Sequence, residues 1–321
     1  MSVKDGVLFY LENSRGAAVS GGAIAENLGV SRNAVFKAVN ILRAEGYGIS
    51  SSRGGYTLGA NDNRLSVDGI KKFLAEKRYN IHLYNEVDST NTVAKRAAED
   101  GAPGWSVFIA ESQIKGRGRL GKSFVSSRGT GIYTSVLLYP DMPADKAVMI
   151  TVTAAVAAAE AIEANCGKKT MIKWVNDVYI DDRKVCGILT EASFDTISGR
   201  MAYAVLGVGI NVAPPSGGFA PEIKAVAGAM AKAATADLRA KTIASFLDLF
   251  AKYYDAGAES ITEKYRARQY LTGKAVEISQ GDKKTSAVAL GTDDSCRLRV
   301  RYADGREDVI SFGEVSVKSK P

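Results

Sequence analysis

At 321 residues, with 46% apolar and 24% charged side chains, the chain describes a soluble globular protein long enough for two or three domains. A formal net charge of +7 and a pI near 9.1 favour a polyanionic partner. A single histidine, His82, excludes most zinc sites, Ser-His-Asp triads and histidine acid–base chemistry; it falls in a strand-like run and reads as structural. Three unclustered cysteines (Cys166, Cys186, Cys296) predict a reducing cytoplasm. No secretory signal pattern opens the chain. The longest apolar stretch, 147–164, is interrupted by Thr and Glu, so no membrane span is expected.

Residues 3–11 carry apolar side chains at helical spacing. Ser20-Gly21-Gly22 opens a short helix over 23–28, Gly29-Val30 turns, and Ser31 caps a helix over 32–44 that Gly46 ends. Strands over 47–51 and 56–58 flank Ser52-Arg53-Gly54-Gly55. Three helices and a hairpin are the layout of a winged helix-turn-helix. There the second of the capped helices enters the major groove, with Ser31, Arg32, Asn33 and Lys37 facing DNA and Arg53 on the wing touching backbone. The alternative is a small protein-interaction domain; with six basic and four acidic residues over 1–60, charge does not decide.

A polar linker over 60–65 marks a boundary. A helix over 66–77 and a strand over 81–87 follow. Asp88-Ser89-Thr90-Asn91 then opens a helix to about residue 100. Next come strands over 105–110 and 132–139, a helix over 144–165, strands over 171–174 and 178–180, a turn at 181–183, and a strand pair over 184–194 and 201–212. A Pro/Gly loop over 214–218 precedes helices over 236–256 and 258–268. From Gly273 the pattern changes to short strands over 276–279, 285–290, 298–302 and 307–311, with turn signals at Gly281-Asp282 and 303–305, suggesting an SH3-like β-barrel. The expected fold is α+β: a winged helix-turn-helix over 1–60, an α/β domain with a mixed sheet over 66–270, and a barrel over 271–321.

The stretch 111–130, E-S-Q-I-K-G-R-G-R-L-G-K-S-F-V-S-S-R-G-T, organises the rest. Five basic side chains (Lys115, Arg117, Arg119, Lys122, Arg128) interleave with glycines at 116, 118, 121 and 129, and no acidic residue lies between Ser112 and Arg128. Glycine lets backbone approach a ligand, and arginine offers a charged planar fork to carboxylate or phosphate. The stretch fits both G-x-x-x-x-G-K-[ST] and G-x-G-x-x-G, but those motifs need a following helix, and 124–131 is Ser/Gly-rich and leads into a strand. An anion-binding loop of another design, ordering around its ligand, is favoured over a solvated basic loop.

Four further clusters accompany it: D-S-T-N at 88–91, K-W-V-N-D at 173–177, R-K-V-C-G-I-L at 183–189 and G-V-G-I-N at 207–211. Period-two alternation puts Lys184 and Cys186 on one strand face. Each cluster alone is weak. Together and in this order they resemble the biotin–protein ligases, and most closely the bifunctional ligase/repressors of the BirA family, over nearly the whole chain.

That resemblance implies an ATP-dependent ligase that forms biotinyl-5′-AMP with Mg²⁺ and transfers biotin to a lysine of a carboxylase's biotin carboxyl carrier protein. It implies ligand contacts at Ser89, Thr90, Asn91, Gln113, Gly116, Arg117, Gly118, Arg119, Lys184 and Gly187. Asn176 would help hold metal or phosphate, and Asn211 with the Pro/Gly loop would close over the adenylate. Arg117, Arg119 and Lys184 would neutralise the meeting of two anions, and Asp177 would orient or deprotonate the acceptor lysine. The adenylate-bound protein would form a homodimer and bind a biotin-operon operator as repressor. Leu120 stands where a third arginine is common, Lys122 where a basic residue is usual, Phe124 where tryptophan is frequent, and Val175 where proline is usual. The competing readings are a lipoate–protein ligase and a biotin-sensing winged-helix repressor without catalysis.

Overall fold

The computed structural model describes residues 2–143, 146–195, 199–234, 237–257, 259–280, 283–311 and 313–317. The amino-terminal unit runs α1 (Val3–Asn13), α2 (Gly21–Leu28), α3 (Arg32–Ala44), β1 (Ile49–Ser52) and β2 (Gly55–Leu58). Serines start all three helices: Ser2, Ser20 and Ser31 each accept from a free first-turn amide. Gly29, at φ 64°, closes α2 and lets the chain turn into α3. Val7, Leu11, Ile24, Val35, Val39, Leu42 and Leu58 bury a core of their own. The hairpin closes at Ser52 opposite Gly55, and a Cβ on Gly55 would fall 2.0 Å from Val19 O. The expected three-helix and hairpin layout is therefore present.

The predicted helix over 66–77 forms only as α4 (Val67–Lys71). Beyond it, side chains take the amides that would extend it. Asp248 accepts from Ala75 N and Glu76 N at 3.1 and 2.8 Å, and the Glu76 carboxylate accepts from Lys77 N and Arg78 N.

A seven-stranded mixed sheet follows, built from β3 (Asn80–Tyr84), β4 (Ser106–Ala110), β5 (Gly131–Leu138), β6 (Met171–Lys173), β7 (Asp177–Ile180), β8 (Arg183–Phe194) and β9 (Met201–Asn211), in the order β3-β4-β5-β9-β8-β7-β6. Only the β3–β4 pair is parallel, and α5 (Thr90–Glu99) supplies its crossover. β4 and β5 are antiparallel, so the basic stretch joins them as a loop whose helical content is one 3₁₀ turn, Arg119–Gly121. Both nucleotide-loop patterns fail here for want of a helix.

Behind the sheet lies α6 (Ala147–Cys166), with α8 (Leu238–Ala256) and α9 (Glu259–Ala267) packed on it. Contrary to the sequence expectation, α6 is long and apolar enough to cross a membrane. Its apolar length is used otherwise: Ile150–Ala159, Ala161 and Ile162 are buried in the core. Helix starts expected at Ala144, Ala236 and Ala258 lie outside the described residues. A short α7 (Pro221–Lys224) follows the Pro/Gly loop.

The last five strands are β10 (Ala275–Gln280), β11 (Lys283–Thr292), β12 (Leu298–Arg301), β13 (Glu307–Ile310) and β14 (Glu314–Val317), antiparallel in the order β13-β12-β11-β10-β14. The turn expected at Gly281-Asp282 lies outside the described residues, and β14 was not foreseen. Val276, Ile278, Ala289, Leu298, Val300 and Val315 join the same buried cluster as α6 and α8, so this sheet continues the central core.

Candidate active site

A cleft at the β8–β9 face collects most of the predicted site. Ser89, Thr90, Asn91, Gln113, Arg117, Gly118, Arg119, Asn176, Asp177, Lys184 and Gly187 all line it. Gly116 and Asn211 stand just outside that lining. A Cβ on Gly116 would lie 2.2 Å from Phe124 O, so this glycine lets the loop close on itself. Asn211 donates to Gly228 O at 3.0 Å and accepts from Met230 N, pinning the segment after the Pro/Gly loop.

The basic loop is a narrow hairpin. Gly118 N donates to Lys122 O at 2.7 Å and Phe124 N to Gly116 O at 2.9 Å. This folds the Phe124 ring inward over β8 and β9. A Cβ on Gly209 would come 2.7 Å from that ring, and one on Gly187 3.4 Å. Tyr133 meets the ring edge-on at 6.3 Å. The glycines of G-V-G-I-N thus make room for neighbours: Gly209 for Phe124, and Gly207 for Asn91, whose Oδ1 lies 2.1 Å from where a Cβ would be.

A β-bulge shapes the opposite wall. Val178 pairs with Cys186 but Tyr179 with Lys184, leaving Val185 as the extra residue. Lys184 and Gly187, an odd number apart, should face opposite sides. The bulge brings both to the cleft, and a Cβ on Gly187 would stand 3.1 Å from Lys184 Nζ. The same bulge overturns the expectation that Lys184 and Cys186 share a face. Cys186 is fully buried in the core, and burial pushes its thiol pKa up.

Charges in the cleft are paired. Lys184 Nζ lies 2.7 Å from Asp177 Oδ1. Arg119 donates to Asn176 Oδ1 at 3.0 Å and to Gly313 O at 3.2 Å, and Asn176 donates to Ile188 O at 2.7 Å. Val315 also lines the cleft, so the carboxy-terminal sheet closes one side. Trp174 Nε1 donates to Cys296 O at 2.9 Å, tying K-W-V-N-D to that sheet; the Trp174–Val175 peptide is cis.

At the other end, Ser89 occupies the N-cap of α5 but makes no side-chain cap bond. Gln113 Oε1 supplies it, accepting from Thr90 N at 2.8 Å, while Gln113 Nε2 donates to Ser126 Oγ at 2.8 Å. Sequence reasoning missed Glu191, which meets Lys95 at 2.6 Å, Asn91 Nδ2 at 2.8 Å and Arg117 at 3.3 Å. Burial works to raise its pKa. Hydrogen bonds from Lys95 and Asn91, with the charges of Lys95 and Arg117, outweigh burial and hold it below the usual carboxylate range. The available signal was its position: 187, 189 and 191 share a strand face.

In the amino-terminal unit, Ser31 is engaged as a cap, accepting from Ala34 N at 3.1 Å. Arg32, Asn33, Lys37 and Arg53 are exposed, and Phe36 and Asn40 are exposed beside them on α3.

The biotin/lipoate A/B protein ligase family matches residues 83–211, an HTH domain matches 6–57, and the biotin protein ligase C-terminal domain matches 271–318. The bifunctional ligase/repressor BirA of Bacillus subtilis is 37% identical over 240 residues, 74% of this chain and 73% of that one. The biotin–[acetyl-CoA-carboxylase] ligase of Paracoccus denitrificans is 33% identical over 71% of this chain and 96% of its own. The biotin protein ligase of Aquifex aeolicus, solved with biotin and ATP, superposes with a TM-score of 0.62 at 25% identity, over 75% of this chain and 99% of that one. With this cleft, this order of motifs and this extent of similarity, the chain belongs to the BirA family of bifunctional biotin–protein ligases and repressors.

Proposed function

We propose that the protein joins biotin to ATP and passes the biotinyl group to a lysine of a biotin carboxyl carrier protein. The observation that carries this reading is one cleft lined both by the cations Lys184, Arg117 and Arg119 and by the polar residues Ser89, Thr90, Asn91 and Gln113. The biotin carboxylate attacks the α-phosphorus, the bond to the β-phosphate breaks, and pyrophosphate leaves. Lys184, Arg117 and Arg119 offset the charge that accumulates as two anions meet. Mg²⁺ accompanies the triphosphate, as it usually does at phosphate sites. Among the described residues no three His, Cys, Asp or Glu side chains cluster as a metal site. Asp177 and Asn176 are the protein groups beside the phosphates' expected place. In the second step a neutral acceptor amine attacks the acyl carbon, the bond from that carbon to the phosphate oxygen breaks so that AMP leaves, and the amine sheds one proton, for which Asp177 is the candidate base. Asp177 orients that amine from its place against Lys184.

The units over 1–60, 66–270 and 271–321 then serve as a winged DNA-binding domain, the ligase and an SH3-like support that lends Gly313 O and Val315 to the cleft. Arg32, Asn33 and Lys37 on α3, with Ser31 at its start and Arg53 on the wing, face operator DNA. The adenylate-bound protein dimerises to repress, in the cytoplasm.

The test is pyrophosphate release from MgATP with biotin or lipoate, beside the mass of a carrier domain. Biotin-dependent release with a one-biotin mass gain is expected; release with lipoate alone would move the chain to the other branch. Sedimentation with and without biotin and MgATP tests the dimer, and an unchanged monomer would remove that part. Gly209→Ala is expected to push the Phe124 ring out of the cleft. Overpacking of this kind costs about 1–3 kcal/mol, and biotin affinity should fall with little change in carrier affinity. Titration calorimetry checks this.

A further inference from the structure

Resting on the biotin-ligase reading, we infer that Glu191 is a positioning residue that fixes where the protons lie in the ligand wall, so that Thr90 meets the ligand as a hydrogen-bond acceptor. Half-buried Glu191 and the buried Asn91, Ser135 and Thr90 form a chain of four polar groups that ends at the cleft. Glu191, ionised at neutral pH, can only accept. Its Oε1 is taken by Lys95 Nζ at 2.6 Å and its Oε2 by Asn91 Nδ2 at 2.8 Å. Asn91 must therefore turn its amino group toward Glu191, where Leu189 O also accepts at 3.4 Å, and its carbonyl the other way. That carbonyl, Oδ1, faces Ser135 Oγ at 2.6 Å and can only accept.

Ser135 is fully buried and has one proton. It goes to Asn91 Oδ1. The 2.8 Å contact between Ser135 Oγ and Thr90 Oγ1 then needs the Thr90 proton. The other neighbour of Thr90 Oγ1, Gln113 Oε1 at 3.2 Å, is likewise an acceptor, already fixed by Thr90 N. Both inner neighbours draw the Thr90 proton away from the cleft. What remains toward the ligand is a lone pair, which suits an N–H such as those of a cyclic urea.

A ligand with no N–H, such as lipoate, would leave this nearly buried acceptor unpaired. A site built around a hydrogen bond discriminates strongly against a ligand that lacks the matching group. Glu191 is thus a specificity determinant that never touches the ligand.

Glu191→Gln is nearly isosteric but has one oxygen for three donors, Lys95 and Arg117 on one side and Asn91 on the other. The ammonium of Lys95 takes the oxygen, and the new amide then points its N–H at Asn91. The Asn91 amide turns over and Ser135 becomes free to donate to Thr90, which takes up a lone pair otherwise open to the ligand and leaves the Thr90 proton only Gln113 Oε1 or the ligand to point at. Restoring an acceptor-only group one link along, with Glu191→Gln/Asn91→Asp, returns the original polarity.

The experiment is calorimetric titration of the full-length protein with biotin and with lipoate. Wild type should bind biotin; Glu191→Gln should bind it at least about tenfold more weakly, a difference of roughly 1.4 kcal/mol, with lipoate binding not weakened. The double variant should recover most of the loss, which a merely structural role would not produce. Thr90→Val, which leaves the charge cluster intact, should lose biotin affinity similarly and guards against a Glu191 variant that fails to fold. Glu191→Gln binding biotin as wild type, a double variant no better than the single one, or Thr90→Val without effect would each overturn the inference. Wild type failing to bind biotin at all would instead overturn the ligase reading.

Discussion

Lys184→Ala is expected to slow biotin-dependent pyrophosphate release by about 10²–10³-fold, the usual effect of removing one preorganised charge from a site where negative charge develops. Two features make the loss large. The ammonium is held in place by the bulge at Val185 and by Asp177 at 2.7 Å, so little reorganisation is needed as the phosphate oxygens gain charge. Removing it also leaves Asp177 as an uncompensated carboxylate beside two anionic substrates. The first effect falls on the chemical step, the second on substrate binding. Single-turnover release at saturating ATP should therefore drop, and the KM for ATP should rise. Adding Asp177→Asn to Lys184→Ala should recover the KM but not the rate. Full-rate release by Lys184→Ala would remove this lysine from the mechanism.

Local chemistry made much of this legible in the sequence. Ser20 and Ser31 announced their helices because the cap bond is made within three residues, and Gly29 needs a positive φ that few other residues tolerate. The basic loop was separated from nucleotide loops because 124–131 cannot continue as a helix, and the antiparallel β4–β5 pair agrees. What stayed hidden depends on distant partners. α4 stops early because Asp248, far along the chain, captures its would-be amides. Lys184 and Gly187 share a face because one extra residue slips in against β7, and alternation cannot register a bulge before the pairing partner is known. Arg119 leans on Gly313 O, and β14 supplies Val315, from a four-residue strand too short to stand out. Glu191 looked like an ordinary strand carboxylate until α5 brought Asn91 and Lys95 against it.

Arg239→Met should be the most destabilising single change outside the cleft, costing about 3–5 kcal/mol, because removing one partner of a buried ion pair strands the other. Arg239, near the start of α8, is wholly buried. Its Nη1 lies 2.8 Å from Glu111 Oε2 and donates to Asn63 O at 3.0 Å, and its Nε donates to Gly131 O at 2.8 Å. Glu111 and Gly131 bracket the basic loop, so one guanidinium clamps both stems of it. The linker is fastened to the same place. Leu65 N donates to Glu111 Oε1 at 2.7 Å, and Asn63 Nδ2 to Gly129 O at 2.6 Å. Methionine fills much of the volume but leaves the buried Glu111 carboxylate without a counter-charge, its Oε2 stripped of its donor. At about 2–4 °C per kcal/mol for a unit of this size, the melting temperature should fall by roughly 6–20 °C. The clamp also predicts where the damage shows first. Well below the melting temperature, biotin affinity should already be reduced, since the loop carrying Gln113 and Arg117 has lost its anchor. Arg239→Met with Glu111→Leu removes the stranded charge and should recover a good part of the stability, as apolar replacements of buried ion pairs often do, but not the affinity. Scanning calorimetry and biotin titration on the two variants separate these effects. A melting shift under about 2 °C in the single variant, less than a 1 kcal/mol loss, would mean that Glu111 finds water or another donor when Arg239 is gone. The loop would then owe its position to its own hairpin bonds alone.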